Sequence, residues 1–503
     1  MRTSGILMPV FSLPSKFGIG AFDNEAYRFA DFLQKSLQGV WQVLPLGPTG
    51  FGNSPYQPIS AFAGNPYFIS LEALIEDGFL TWDECNCCDF GNNQEKVDYG
   101  MLYANRKPLL EKASSKFFEK IKSDKELSNK YNKFIIDEEY WLKDFALFCV
   151  IKDINNGKPW YEWDNSLKTR SKKALDEVLS SKTEDINLIY FEQFIFMNQW
   201  NKLHEYINSK NIKVIGDMPF YVSYDSADVW QHPEVFQLDK DLVPKVVAGC
   251  PPDAFSRLGQ MWGNPIYDWS KSAKDGYSWW ITRLKRNSDL FDTVRIDHFH
   301  GFAEYYAIPY GSEDATNGKQ YKGPGMSFFK ALYNEIPEIS LIAEDLGTVT
   351  KENEALLEES GIPGMKVLQY AFTSWDSKYL THRHEKNCVV YTGTHDNTPT
   401  YAWVEDIEEG HRDFTRRYVN SRNTDFGGLV WDIIREAYHS SGDLCIIPLQ
   451  DYLVKGREAR INTPGTLGGN WEWRLIPNFL SDALAGSIRE MVETYGRVPV
   501  AEK

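Results

Sequence analysis

The chain has 503 residues, 42% hydrophobic and 25% charged, an ordinary balance for a folded protein and long enough for several domains or one large barrel with insertions. Its formal net charge of -16, with no basic run of five or more, argues against nucleic acid or an anionic membrane as a main partner. No apolar run approaches membrane-spanning length.

Taken in chain order, eight short apolar runs end in polar or glycine-containing segments. They are GILMPV near Ile6, VWQVLPL near Val43, KVIGDMP near Ile215, TVRIDHF near Ile296, SLIAEDLG near Ile342, MKVLQYAF near Val367, CVVYTGTHD near Val390 and LCIIPLQD near Ile447. Helix-compatible segments such as TKENEALLEES and DFGGLVWDIIREAYHSS separate the later ones, which is the pattern of parallel βαβ units. Eight such strands close a (β/α)8 barrel; a doubly wound open sheet is the alternative, weakened by the lack of a dinucleotide-binding glycine fingerprint after the first strand. Two long gaps interrupt the pattern. Residues 47–210 carry DEEYWLKDFALFCVIKDI and LIYFEQFIFMNQWNKLHEYI, with apolar residues at helical spacing, and residues 220–291 are rich in Trp, Pro and Gly. Both are expected to be insertions into a single catalytic domain, 1–503, forming subdomains around the C-terminal face of the barrel. Too little chain follows the eighth run for a separate β-sandwich.

The seven cysteines are odd in number and scattered, which suits a reducing cytoplasm better than a disulfide framework. CNCC at 85–88 has no partner pair at zinc-ligand spacing, and no metal or cofactor is expected. The N-terminal stretch breaks its apolar run with Pro and Ser, unlike a signal peptide. Aromatic content reaches 15%, with 16 Trp and 27 Tyr, fitting either a well-filled core or flat surfaces on which sugar rings stack.

Chemistry concentrates where the strands end. Asp217, Asp297, Glu344, Asp345, His395, Asp396 and Asp451 all fall at C-terminal ends of apolar runs, the end of a barrel that carries active sites. In DTVRIDHFHGF, strand alternation puts Arg295, Asp297 and Phe299 on one face and Val294, Ile296 and His298 on the other. Two carboxylates flanking a bond are what glycoside chemistry requires. Arg295 is expected to favour an ionised, nucleophilic Asp297, while Asp345 is expected to favour a protonated Glu344 as general acid. His395 would donate hydrogen bonds beside Asp396. The bland alternative is a set of ion pairs closing the barrel end. GTLGGN lacks the Lys and Ser/Thr of a phosphate loop and reads as a turn, and no GxSxG elbow supplies a serine nucleophile.

At this point the chain resembles a family nearly end to end, through GILMPVFSLPSKFGIG, WQVLPLGPTGFGNSPYQPISAFAGNP, GDMPFYVSYDSADVW, PPDAFSRLGQMWGNPIYDW, RIDHFHGF, AEDLG, GTHDN and NTPGT followed by NWEWR. It is similar to the 4-alpha-glucanotransferases known as amylomaltase or disproportionating enzyme, relatives of the alpha-amylase barrel enzymes. The resemblance implies Asp297 as nucleophile, Glu344 as general acid/base, and Asp396 as the residue holding substrate hydroxyls in the transition state. It implies Arg295 and His395 as their supports, and Tyr56 and Asp217 on the donor side of the cleft. Asp253, Gln260, Trp262 and Asn264 would be glucan contacts from a loop over the cleft, with Asn470 and Trp471 further contacts. The implied activity is cofactor-free transfer of α-1,4-glucan segments to the 4-hydroxyl of an acceptor, by a retaining double displacement on α-1,4-glucans and maltooligosaccharides. The alternatives are an α-glucan hydrolase on the same barrel and a non-catalytic glucan-binding protein. Two positions depart from the family's commoner wording: His300 where arginine is frequent, and Thr398 where aspartate is frequent. They bear on subsite preference rather than on the three acids.

Overall fold

In the computed structural model, which describes residues 2–50, 52–252, 257–347 and 349–499, all eight apolar runs form strands. They are β1 (Thr3–Leu7), β2 (Val40–Gln42), β3 (Lys213–Met218), β4 (Thr293–Ile296), β5 (Leu341–Ala343), β6 (Gly364–Val367), β7 (Cys388–Tyr391) and β8 (Leu444–Pro448). Neighbours in chain order pair in parallel from β1 to β5 and from β6 to β8, and β8 returns to β1. The Ala343 amide donates to the Pro363 carbonyl at 2.9 Å, which stitches β5 to the entry of β6 and closes the ring. The fold is the α/β barrel, not an open doubly wound sheet.

Period-two alternation sorts the strand residues. Leu7, Val40, Ile215, Ile342, Met365, Val367, Val389, Tyr391 and Ile446 pack together inside the ring. Their neighbours Ile6, Trp41, Val214, Val390, Cys445 and Ile447 face the surrounding helices. On β4, Val294 and Ile296 join the outer cluster, which leaves Arg295 pointing inward beneath the strand ends.

The first gap contributes helices Tyr99–Lys120, Lys125–Asp137, Glu139–Ile154 and Lys172–Ser181, followed by Thr183–Ser209. That last helix is also the crossover into β3. Its Phe191, Phe196, Trp200, Leu203 and Ile207 are fully buried with Trp41 and Val214, at roughly 1.5–3 kcal/mol of burial for each large side chain. The second gap supplies strands Val246–Cys250 and Gln260–Pro265 to a small antiparallel sheet completed by Glu304–Pro309 and Lys319–Lys322, and ends in helix Ser278–Leu290. After β8 the described chain adds no strand to either sheet; helix Asp482–Thr494 reaches back to helix Asn24–Lys35, where Lys35 pairs with Asp482 at 2.9 Å. Among the described residues no helix is long and apolar enough to cross a membrane.

Candidate active site

The site is built on strand ends. Asp217 closes β3, with its side chain fully buried, and Arg295 faces it from β4. One guanidinium nitrogen, Nη1, donates to both Asp217 oxygens at 2.6 Å and to Asp297 Oδ1 at 3.2 Å, while Nε lies 3.4 Å from Met365 Sδ inside the ring. The Arg295–Asp297 contact expected from alternation is present, but the primary partner of Arg295 is Asp217.

Alternation stops earlier than the sequence suggests. β4 ends at Ile296, and His298 takes the left-handed conformation, φ 48°, which side chains other than glycine's adopt at a cost. The turn swings Phe299 out of the Arg295 face and into the outer cluster with Val294 and Ile296. It also aims the His298 amide at Glu344 Oε2, 2.8 Å away. The Leu346 amide holds Oε1 at 2.9 Å, and the Phe299 amide donates to the Glu344 carbonyl at 3.1 Å. Glu344, just after β5, is thus locked to the backbone one residue from Asp297.

Both carboxyls titrate above their ordinary range. For Asp297 burial is the main cause; Arg295 opposes it, and the charges of Glu344, Asp217 and Asp396 add to it. For Glu344 burial again comes first, opposed by Arg295, His300 and the two amides. Arg295 does pull Asp297 toward its ionised form, as expected, although desolvation outweighs that pull. The expected role of Asp345 beside Glu344 changes: Asp345 turns away and accepts the Met365 amide at 2.6 Å, and it is not among the main causes of the Glu344 shift. Gly364 permits that turn, since a Cβ there would lie 2.7 Å from the Asp345 carboxylate.

Across the ring, Tyr56 donates its hydroxyl to Asp217 Oδ2 at 2.9 Å and stacks on His395 at 4.9 Å between centroids and 14° between planes. Burial pushes the Tyr56 phenol well up, so it stays a donor. Its oxygen lies 3.4 Å from His395 Nδ1, and His395 Nε2 lies 3.3 Å from Asp396 Oδ1. Burial lowers the His395 pKa, against the opposing pull of Asp396, so the ring is neutral and carries one N–H. Asp396 keeps 46% of its side chain exposed, and Asn462 Nδ2 donates to its Oδ1 at 2.7 Å. Arg460 donates to the Asp396 carbonyl at 3.0 Å. A hydrogen-bonded and covalent path therefore joins the three acids: Glu344, the His298 amide, Asp297, Arg295, Asp217, Tyr56, His395 and Asp396. Asn462 and Arg460 escaped the reading of residue types, although NTPGT begins at Asn462; loop residues carry no periodic signal.

The remaining expected residues are placed as follows. Trp262 sets its ring edge-on to His298, centroids 5.0 Å apart, with Tyr221 at 6.1 Å, and donates Nε1 to Gln260 Oε1 at 3.1 Å. Burial, then the His300 charge, lowers the His298 pKa to about 3. Asn264 is buried, its amide exchanging two bonds of 3.0 Å with Gln57 and donating to the Val222 carbonyl, so its polar groups already brace the Tyr56 turn. Asn470 likewise pins its own loop, accepting the Thr463 amide and donating to Thr466. Trp471 packs near Tyr56 and His395 at 5.7 and 6.0 Å. Asp253 lies outside the described residues. Asp451, at the end of β8, does not join the acids: it is buried on the hydroxyls of Thr392 and Thr400 and the Thr400 amide. GTLGGN is an irregular loop that bends at Gly468 and Gly469.

Residues 8–478 match the family model described as 4-alpha-glucanotransferase. The chain is 44% identical over 492 residues to a 4-alpha-glucanotransferase of Clostridium butyricum, covering 97% of this chain and 100% of the relative. It is 42% identical to one of Thermus thermophilus, covering 99% of each. The amylomaltase of Streptococcus agalactiae, solved in complex with acarbose, superposes with a TM-score of 0.95 at 37% identity, covering 99% of this chain and 100% of that one.

Proposed function

The chain belongs to the 4-alpha-glucanotransferase family, and from that premise we infer how its site moves a glucan segment from one chain to another. The activity is transfer of glucan segments. Asp297 attacks the anomeric carbon of an α-1,4 linkage while Glu344 protonates the departing oxygen. The 4-hydroxyl of a second glucan then captures the glucanyl-enzyme, with Glu344 now taking the proton, so each linkage broken is replaced by one formed. Configuration is retained because the carbon is inverted twice.

What supports this reading above all is the bonded path through Arg295, Asp217 and Tyr56, which holds acids from separate strands around one space. The chemistry needs charge on Asp297 and a proton on Glu344. Arg295 contacts Asp297 directly, which favours the charge there; Glu344 keeps lone pairs for its two amide donors when one oxygen is protonated. Asp396, tethered by Asn462 and beside the neutral His395, offers a carboxylate to ring hydroxyls. Trp262, partly buried against Tyr221, gives the acceptor an apolar surface that competes against water. The odd number and scatter of the seven cysteines suit a reducing compartment, and we place the reaction in the cytoplasm.

Incubation with maltotriose and chromatography of the products tests the reading. Transfer gives glucose and a ladder of longer chains; shorter sugars alone would indicate a hydrolase, and intact trisaccharide a binder. Asp297→Asn abolishes the ladder while the circular dichroism spectrum is kept. Persistent turnover would remove Asp297 from the nucleophile's role.

A further inference from the structure

Trp375 is the most exposed tryptophan among the described residues, with 75% of its surface open to solvent. It stands on the segment leaving β6, the strand between β5, which carries Glu344, and β7, which carries Asp396. That segment begins against the catalytic acids. Tyr370, 39% exposed, accepts a hydrogen bond from Asn397 Nδ2 at 3.1 Å, and Asn397 directly follows Asp396. The loop then folds back on Tyr370: the hydroxyls of Thr373 and Ser377 both donate to its carbonyl, at 3.4 and 3.1 Å. Ser374 bonds Asp376 on either side of Trp375, and the Ser377 amide donates to the Ser374 carbonyl at 3.3 Å. Tyr379, edge-on to Tyr370 at 5.5 Å between centroids, buttresses the base.

A single exposed apolar residue on a loose surface loop needs no explanation. This one differs in that a cross-braced loop carries it, five residues after a second exposed ring, Tyr370, that bonds the neighbour of Asp396. An indole face stacks well on the apolar face of a pyranose, and the loop that carries it leaves the C-terminal end of a barrel strand, the end that holds the acids. We propose that Trp375 is an outer sugar platform for α-1,4-glucan, engaging rings several positions from the linkage being exchanged and so setting preference for longer chains. The proposal rests on the glucan transfer inferred above. Because the platform touches only distal rings, its binding energy is spent on long substrates alone and leaves the reacting sugars unaffected.

The test compares Trp375→Ala and Trp375→Tyr with the parent enzyme on maltotriose and on maltoheptaose. Trp375→Ala is expected to process maltotriose within about two-fold of the parent, while KM for maltoheptaose rises about ten-fold at unchanged kcat. Trp375→Tyr, which keeps a stacking face, should recover most of the difference. Equal losses on both sugars, or none on either, would overturn the proposal. A parent enzyme that makes no ladder from maltotriose would instead overturn the transfer reading, so the two failures are distinguishable.

Discussion

Arg295 places a single nitrogen within hydrogen-bonding reach of three carboxylate oxygens, and two of these belong to Asp217. The buried pair is thus the fixed point of the site, and Asp297 takes the remaining share of the charge. Removing one member of such a pair leaves the other uncompensated. Asp217→Ala should therefore cost about 3–5 kcal/mol in urea unfolding; a loss under about 1 kcal/mol would show the pair to be incidental. The coupling between Asp297 and Glu344 has a definite sign. Burial and the Glu344 charge hold the Asp297 carboxyl up against Arg295. In Glu344→Gln that charge is gone, so Asp297 should ionise at lower pH than in the parent. With α-maltosyl fluoride, whose leaving group needs no general acid, the acid limb of the pH–rate profile should move downward in the variant; no movement, or movement upward, contradicts the assignment. Asn462→Ala frees Asp396 and should lower kcat about ten-fold or more with little change in melting temperature. Asp297, Glu344 and Asp396 could be read from residue types because each ends a strand. Asn462 and Arg460 could not, since their roles depend on a loop whose path only the tertiary fold defines.

Among the elements, helix Thr183–Ser209 carries the most telling charge. Glu192 is buried within it, and burial pushes its carboxyl from 4.5 up to about 8, partly opposed by Lys107. A folded pKa above the unfolded one means that its contribution to stability is whole below about pH 4.5 and is lost as pH rises towards 8. Glu192→Gln should flatten that decline, saving at least about 1 kcal/mol between pH 5 and pH 8 in urea titrations. Parallel pH dependence in the two proteins would contradict it. This helix was visible in sequence because its apolar residues recur at helical spacing, and the barrel strands because strands buried on both faces read as unbroken Val, Ile and Leu runs. The small antiparallel sheet was not. Its edge strand Lys319–Lys322 is exposed throughout, so KQYK offers no buried face to betray a strand, and Gln260–Pro265, the opposite edge, is half-open. The turn at His298 is equally hidden in sequence, because no glycine or proline marks the break after Ile296.

At the scale of the molecule, a ring of parallel strands brings together residues from the N-terminal third to the C-terminal tenth of the chain, Tyr56 to Asn462. Closure between β5 and β6 matters most, because it separates an open sheet, whose ends fan apart, from a ring whose ends converge on one space. Convergence makes acids from β3, β4, β5 and β7 into one site, and the account stands on Asp297 being the atom source of a covalent glycosyl bond there. The direct measurement is mass analysis of the Glu344→Gln variant, acid-quenched after α-maltosyl fluoride and digested into peptides. Loss of the general base slows capture of the intermediate, so the account predicts a maltosyl adduct on the peptide containing Asp297. An unmodified Asp297 peptide while fluoride is released, or the adduct on another carboxylate, would contradict it.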